Sequence, residues 1–90
     1  MARANVNEQD QTLALRALVW TLAEPERAQR LLAVTGIEPA GLRARLSDPA
    51  VLAATLQFLL ASEADLVACA DELDLPAQAL ADAGRALEGV

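Results

Sequence analysis

The side chains able to do chemistry in this 90-residue chain are few. Beyond hydroxyls there are one thiol, Cys69, thirteen carboxylates and seven guanidinium groups, with no His, Lys or Tyr. A nucleophilic Cys needs a base to activate it or a cation to hold its thiolate. No imidazole is present, and Arg85 is the only cation of the second half. Cys69 also falls on an apolar helical stripe, where a thiol acts as a small hydrophobe. Carboxylates alone support general acid–base catalysis only where two converge and one pKa is strongly raised. One Cys without His leaves no thiolate–imidazole metal set, and the absence of Lys removes Schiff-base and P-loop chemistry. The acidic cluster Asp71, Glu72 and Asp74 lacks the Gly turn and ligand alternation of a calcium loop. Asp71 and Glu72 sit at a helix C-terminus, where negative charge opposes the dipole; Asp74 is read as the cap of the next helix. The expectation is a non-enzyme with no catalytic residue, cofactor or metal site.

The guanidinium groups suggest binding instead. Arg16, Arg27, Arg30, Arg43 and Arg45 all lie in the first half. Arg27 and Arg30 are three apart, on one helical face, with Glu24, Glu26 and Glu38 nearby. Such charges form either a solvated face or a patch for carboxylate or phosphate. Residues 31–46 resemble a helix-hairpin-helix DNA-binding unit, whose Gly–apolar–Gly turn presents N–H groups to a phosphate. Gly36 and Ile37 match that turn, and Arg43 and Arg45 favour it. Glu38 replaces the second Gly and opposes it. The other reading is a helix capped by Gly36, with Ile37 packing back on it. Trp20 is offset from the leucine stripe of its helix and lies with Leu13 and Ala17. It either covers the edge of the core or stands half exposed beside Arg16 as a binding anchor. The candidate interaction residues are Trp20, Arg27, Arg30, Arg43 and Arg45.

The net charge of −6 is divided unevenly. Residues 1–45 carry six Arg and five acids, a net of +1, and residues 46–90 carry one Arg and eight acids, a net of −7. An acidic balance argues against bulk phosphate neutralisation, and a steered partner would meet two different faces. Residues 1–12 lack the apolar stretch of a signal peptide. The longest uncharged run, residues 49–62, falls short of the about 20 residues that span a bilayer. The expected location is cytoplasmic, without membrane insertion.

These groups must be positioned by helices. Ala and Leu supply 38 residues against six Val and one Ile, and that ratio favours helix over strand. Each of the four prolines lies beside or near an acid, at Glu24-Pro25, Glu38-Pro39, Asp48-Pro49 and Asp74-Leu75-Pro76. Proline suits the first turn of a helix, and an acid there suits the dipole. Ser62-Glu63-Ala64-Asp65 resembles a capping box, and Asn7 or Asp10 caps the first helix. The spacing predicts helices at about 8–23, 25–35, 39–46, 49–61, 63–73 and 76–88. Their expected core stripes include Leu15, Leu18, Val19 and Leu22 on the first and Leu31 and Leu32 on the second. Leu66, Cys69, Ala70 and Leu73 form that of the fifth, and Leu80, Ala83, Gly84 and Leu87 that of the sixth. The helix at 49–61 is apolar nearly all round, which places it at the centre. The sixth is rich in Ala and Gly; it packs closely either on the fifth or first helix or on a second copy in a homo-oligomer. The fold expected is all-α: a single compact orthogonal bundle of five to six short helices over residues 8–90, preceded by a flexible tail at 1–7. Its function is expected to be that of a protein-interaction or adaptor module, the alternative being nucleic-acid binding through residues 31–46.

The sequence also carries a wider pattern. An Arg-Ala-Leu-rich first helix precedes Pro25-Glu26-Arg27 and the hairpin Thr35-Gly36-Ile37-Glu38-Pro39-Ala40. Leu42-Arg43-Ala44-Arg45, Asp48-Pro49-Ala50-Val51-Leu52, Phe58-Leu59-Leu60 with Glu63, and Leu75-Pro76-Ala77 follow. Over residues 10–88 this resembles an alphaproteobacterial family of small Ala/Leu-rich helical proteins catalogued only as a domain of unknown function. The resemblance implies a small, cytoplasmic, bacterial, all-helical protein. It carries over no catalytic or binding residue.

Overall fold

Proline fixes φ near −65° and has no N–H, so it fits a first helical turn. In the computed structural model, which describes residues 8–88, α2 (Pro25–Thr35), α3 (Pro39–Ala44) and α4 (Pro49–Leu60) begin on proline. α1 (Glu8–Ala23) and α5 (Glu63–Leu73) complete the set with α6 (Ala77–Glu88), which starts one residue after Pro76. The acids before two prolines are true caps. A Glu24 carboxylate oxygen accepts from the Arg27 N–H at 3.0 Å, and Asp48 accepts from the Ala50 N–H at 2.9 Å. Glu38 makes no side-chain cap bond. Ser62 accepts from the Asp65 N–H at 3.4 Å, but the returning half of the box is missing: the Ser62 N–H bonds the Leu59 carbonyl at 3.1 Å and the Asp65 carboxylate pairs with Arg30. Asp10 lies inside α1, and Asn7 and the tail 1–7 fall outside the described residues.

Two helices end on a left-handed residue. Gly36, at φ 74°, closes α2 with its N–H on the Leu32 carbonyl at 2.8 Å. Asp74, at φ 59°, closes α5, and the Leu75 N–H reaches back to the Ala70 carbonyl at 2.9 Å. This is the six-to-one bond of a Schellman end. Asp74 therefore terminates α5, where the sequence suggested a start for the next helix. The apolar residue after each turn, Ile37 or Leu75, is half-buried. The third helix stops two residues short of the expected 46, because the Arg45 N–H bonds the Leu42 carbonyl at 3.1 Å and tightens the last turn. Leu46 packs against the core from the turn beyond.

The core forms around α4. Val51, Leu52, Thr55, Leu56, Phe58 and Leu59 are all buried, and the helix packs against α1, α2, α5 and α6. α6 presents Leu80, Ala83, Gly84 and Leu87, as the pattern predicts. α6 packs on α1 and α5, the helices the sequence pointed to, but its close approach at Gly84 is to α4. A Cβ at Gly84 would lie 3.2 Å from Leu60 Cδ1 and 3.4 Å from Leu56 Cβ.

α1 is the element whose inward face differs from expectation. Its buried residues are Ala14, Ala17, Leu18 and Thr21. Leu15 is 37% exposed and Val19 61% exposed. The alanine-lined face brings α1 closer to α4 and α6 than a face of leucines would. Buried Thr21 and Thr55 remain satisfied by donating to the carbonyls of Ala17 and Val51, four residues back, at 2.8 and 2.9 Å. Among the described residues there is no strand, and no single helix is long and apolar enough to cross a membrane. α4 and α5 meet at a 113° bend.

Candidate functional site

Displacement of the α1 leucine stripe leaves apolar side chains on the surface of α1. Leu15 and Val19, one turn apart, face a groove of about 500 Å³ between α1 and α5, which Trp20, Arg16, Glu72 and Leu73 also line. A second cleft of about 540 Å³ continues along α1 toward its N-terminus, sharing Thr12 and Arg16 and ending at Glu8 and Leu75. Arg16 spans the joint and donates to the Leu73 carbonyl at 3.2 Å, tying α1 to the last turn of α5.

Trp20 is half-buried and packed against the core. The Arg27 guanidinium covers its ring at 3.7 Å from the centroid and donates from Nη2 to the Trp20 carbonyl at 2.7 Å. Sequence spacing suggested Arg16 as the neighbour of Trp20. Both arginines are at hand, Arg16 lining the same groove and Arg27 stacking on the ring. The Arg27 Nε is buried without a partner, a deficit offset by the stacking.

The other arginines do not join this group. Arg30 bridges to Asp65 of α5 at 3.0 Å and lies 5.6 Å from the centroid of the Phe58 ring. The hydrogen bond to Asp65 raises the Arg30 pKa further. Arg30 borders an apolar cleft of about 550 Å³ between α2 and α4, with Val34, Ile37, Ala54 and Phe58. On the turn after α3, Arg45 lies 3.9 Å from Asp48. The Arg43 side chain is exposed and makes no ion pair or hydrogen bond among the described residues. The five sequence candidates thus separate into a Trp20–Arg27 stack, an Arg30–Asp65 bridge and two α3-end arginines.

Cys69 is fully buried on α5. Burial pushes its thiol up to about 11, against the weaker opposing pull of Arg27 and Arg16. The only thiol is protonated at neutral pH and inaccessible, the opposite of a reactive cysteine.

Sequence reasoning missed Leu15 and Val19 as surface residues. The signal was present: positions 14, 17, 18 and 21 repeat with the same helical spacing as 15, 18, 19 and 22. Two overlapping apolar stripes on one helix exceed what one core contact uses.

The family described as Protein of unknown function (DUF3572) matches residues 7–90. The chain belongs to this family. The DUF3572 match covers every described helix, so the α1–α5 groove and the α2–α4 cleft both lie within the family's extent. No curated protein and no solved structure matches the chain.

Proposed function

We propose that this DUF3572 protein is a non-enzymatic protein-interaction module of the cytoplasm, docking a partner on the α1–α5 groove. The exposure of Leu15 and Val19 beside Trp20 carries this reading. Water contact with adjoining apolar side chains has a cost that a partner relieves, and half-exposed Trp is a frequent anchor of protein interfaces. The buried, protonated Cys69 supports a role without nucleophilic chemistry. The test is a capture experiment in cells of the native organism with wild type and Val19→Asp. Val19 is on the surface, so the variant is expected to keep its helical circular dichroism. A partner held by wild type and lost by Val19→Asp establishes the docking face. Identical partners for both chains, with the fold intact, refute it.

Nucleic-acid binding through residues 31–46 has one supporting observation, the unpaired, exposed Arg43. It has two against it: Arg45 lies near Asp48, and the Glu38 carboxylate stands uncapped at the turn. The expected outcome is no retardation of DNA at low salt. Salt-sensitive binding weakened by Arg43→Ala and Arg45→Ala would establish the alternative.

A further inference from the structure

We propose that the occupant of the α1–α5 groove is a basic amphipathic helix of a partner protein; this rests on reading the groove as the docking face. The shape argues for a helix. The groove and the cleft that continues it follow α1 from Glu8 to Trp20. Twelve helical rises amount to about 18 Å, room for about three turns of a helix laid alongside. The described residues offer no sheet edge onto which an extended peptide could add as a strand.

Charge argues for a basic helix. Arg16, on the Leu73 carbonyl, and Arg27, on the Trp20 carbonyl and ring, keep their charge, but four carboxylates around the groove, Glu8, Asp71, Glu72 and Asp74, outnumber them. Glu8 and Glu72, on the lining, make no ion pair among the described residues, and neither do Asp71 and Asp74 beside them. Asp71 and Glu72 lie in the last turn of α5, where negative charge works against the helix dipole. Folding does not favour carboxylates there; a Lys- or Arg-bearing partner does, by steering and by pairing at the rim. The same argument disfavours a second copy, since each chain carries a net −6, its seven arginines outnumbered by thirteen acids.

Trp20 is the only Trp in the chain, so its fluorescence reports occupancy directly. The full chain is titrated with a Trp-free peptide of about 18 residues, enough to fill the groove. The peptide bears Leu at i, i+3, i+4 and i+7 and Lys elsewhere; a twin has Glu in place of Lys. The expected result is Trp20 perturbation by the Lys peptide at a Kd at least about tenfold below that of the twin. The gap narrows as salt rises, narrows with Glu72→Arg, and binding is lost with Val19→Asp. Equal or tighter binding of the Glu peptide overturns the proposal. So does a Trp20 change that depends on protein concentration alone, with a dimer in sedimentation, which makes the occupant a second copy. If Val19→Asp loses its cellular partner while the peptides do not discriminate, the docking face stands and its basic occupant does not. If Val19→Asp keeps every partner, the docking face itself fails.

Discussion

Titration isolates Cys69. No other side-chain type in this chain has an ordinary pKa between about 6 and 12, since His, Lys and Tyr are absent. The thiol is pushed from 9.0 to about 11 by burial, so the folded state holds its proton where the unfolded state gives it up. Stability from this group is complete below pH 9 and is lost as pH rises from 9 to 11. Urea unfolding should therefore weaken by about 1–3 kcal/mol across that interval, and the slope should vanish in Cys69→Ala. A wild-type curve as flat as that of the variant contradicts the buried thiol. Two further side chains yield expectations at this scale. Asp74 holds a left-handed backbone that favours glycine. Asp74→Gly should stabilise the fold by about 0.5–1 kcal/mol in thermal melts, helped by removal of a carboxylate from a helix end. Arg27→Ala should uncover the Trp20 ring, shifting its emission to longer wavelength and lowering stability by about 1 kcal/mol.

Helices reveal which physical signals a sequence transmits. Proline, acid and hydroxyl starts act through adjacent backbone, so Pro25, Pro39, Pro49 and Ser62 locate their helices to the residue. Ends depend on a tightened turn or a left-handed residue, and Asp74 is a weaker signal for that role than Gly36. The inward face of α1 was not legible, because stripes 14-17-18-21 and 15-18-19-22 both satisfy the helical period. The choice between them depends on what α4 and α6 present. The candidate site was half legible: Trp20 and Arg27 stand out by type, but their stacking and the groove beside them need the tertiary fold. Gly84 tests the closeness of α6 to α4. Gly84→Ala gains helix propensity of about 1 kcal/mol while its Cβ presses on the movable end of Leu60 and on Leu56 Cβ. The opposing effects should leave stability within about 1 kcal/mol of wild type. Gly84→Leu has no such compensation and should lose about 3 kcal/mol or more by forcing α6 away from α4. Chemical denaturation of the pair checks both; a fully tolerated Leu would show that the two helices are not in close contact.

The whole molecule distributes stability unevenly, in an order set by packing around α4. Burying this helix on α1, α2, α5 and α6 makes its backbone openings depend on global unfolding. α3 is the opposite case: six residues, one buried side chain, Leu42, and no extensive packing against any other helix. Hydrogen exchange should accordingly protect α4 most, α1 and α6 nearly as well, and α3 least. Leu56→Ala, in the fully buried centre, should cost about 3–4 kcal/mol, a large share of the 5–15 kcal/mol typical of a domain. Leu42→Ala should cost less globally and should act mainly by freeing α3, raising exchange from 39 to 44 with little change in α4. The salt bridge of Arg30 to Asp65 crosses from α2 to α5 and, being exposed on the Arg30 side, contributes less than either leucine. If Leu42→Ala instead raised exchange throughout α4 as strongly as in α3, α3 would belong to the cooperative core, and the Arg43-bearing segment would be rigid. With α3 free to open at low cost, the α1–α5 groove is held more firmly than the Arg43-bearing segment. A preorganised partner site belongs there, because ordering a loose segment subtracts from the affinity of whatever binds it.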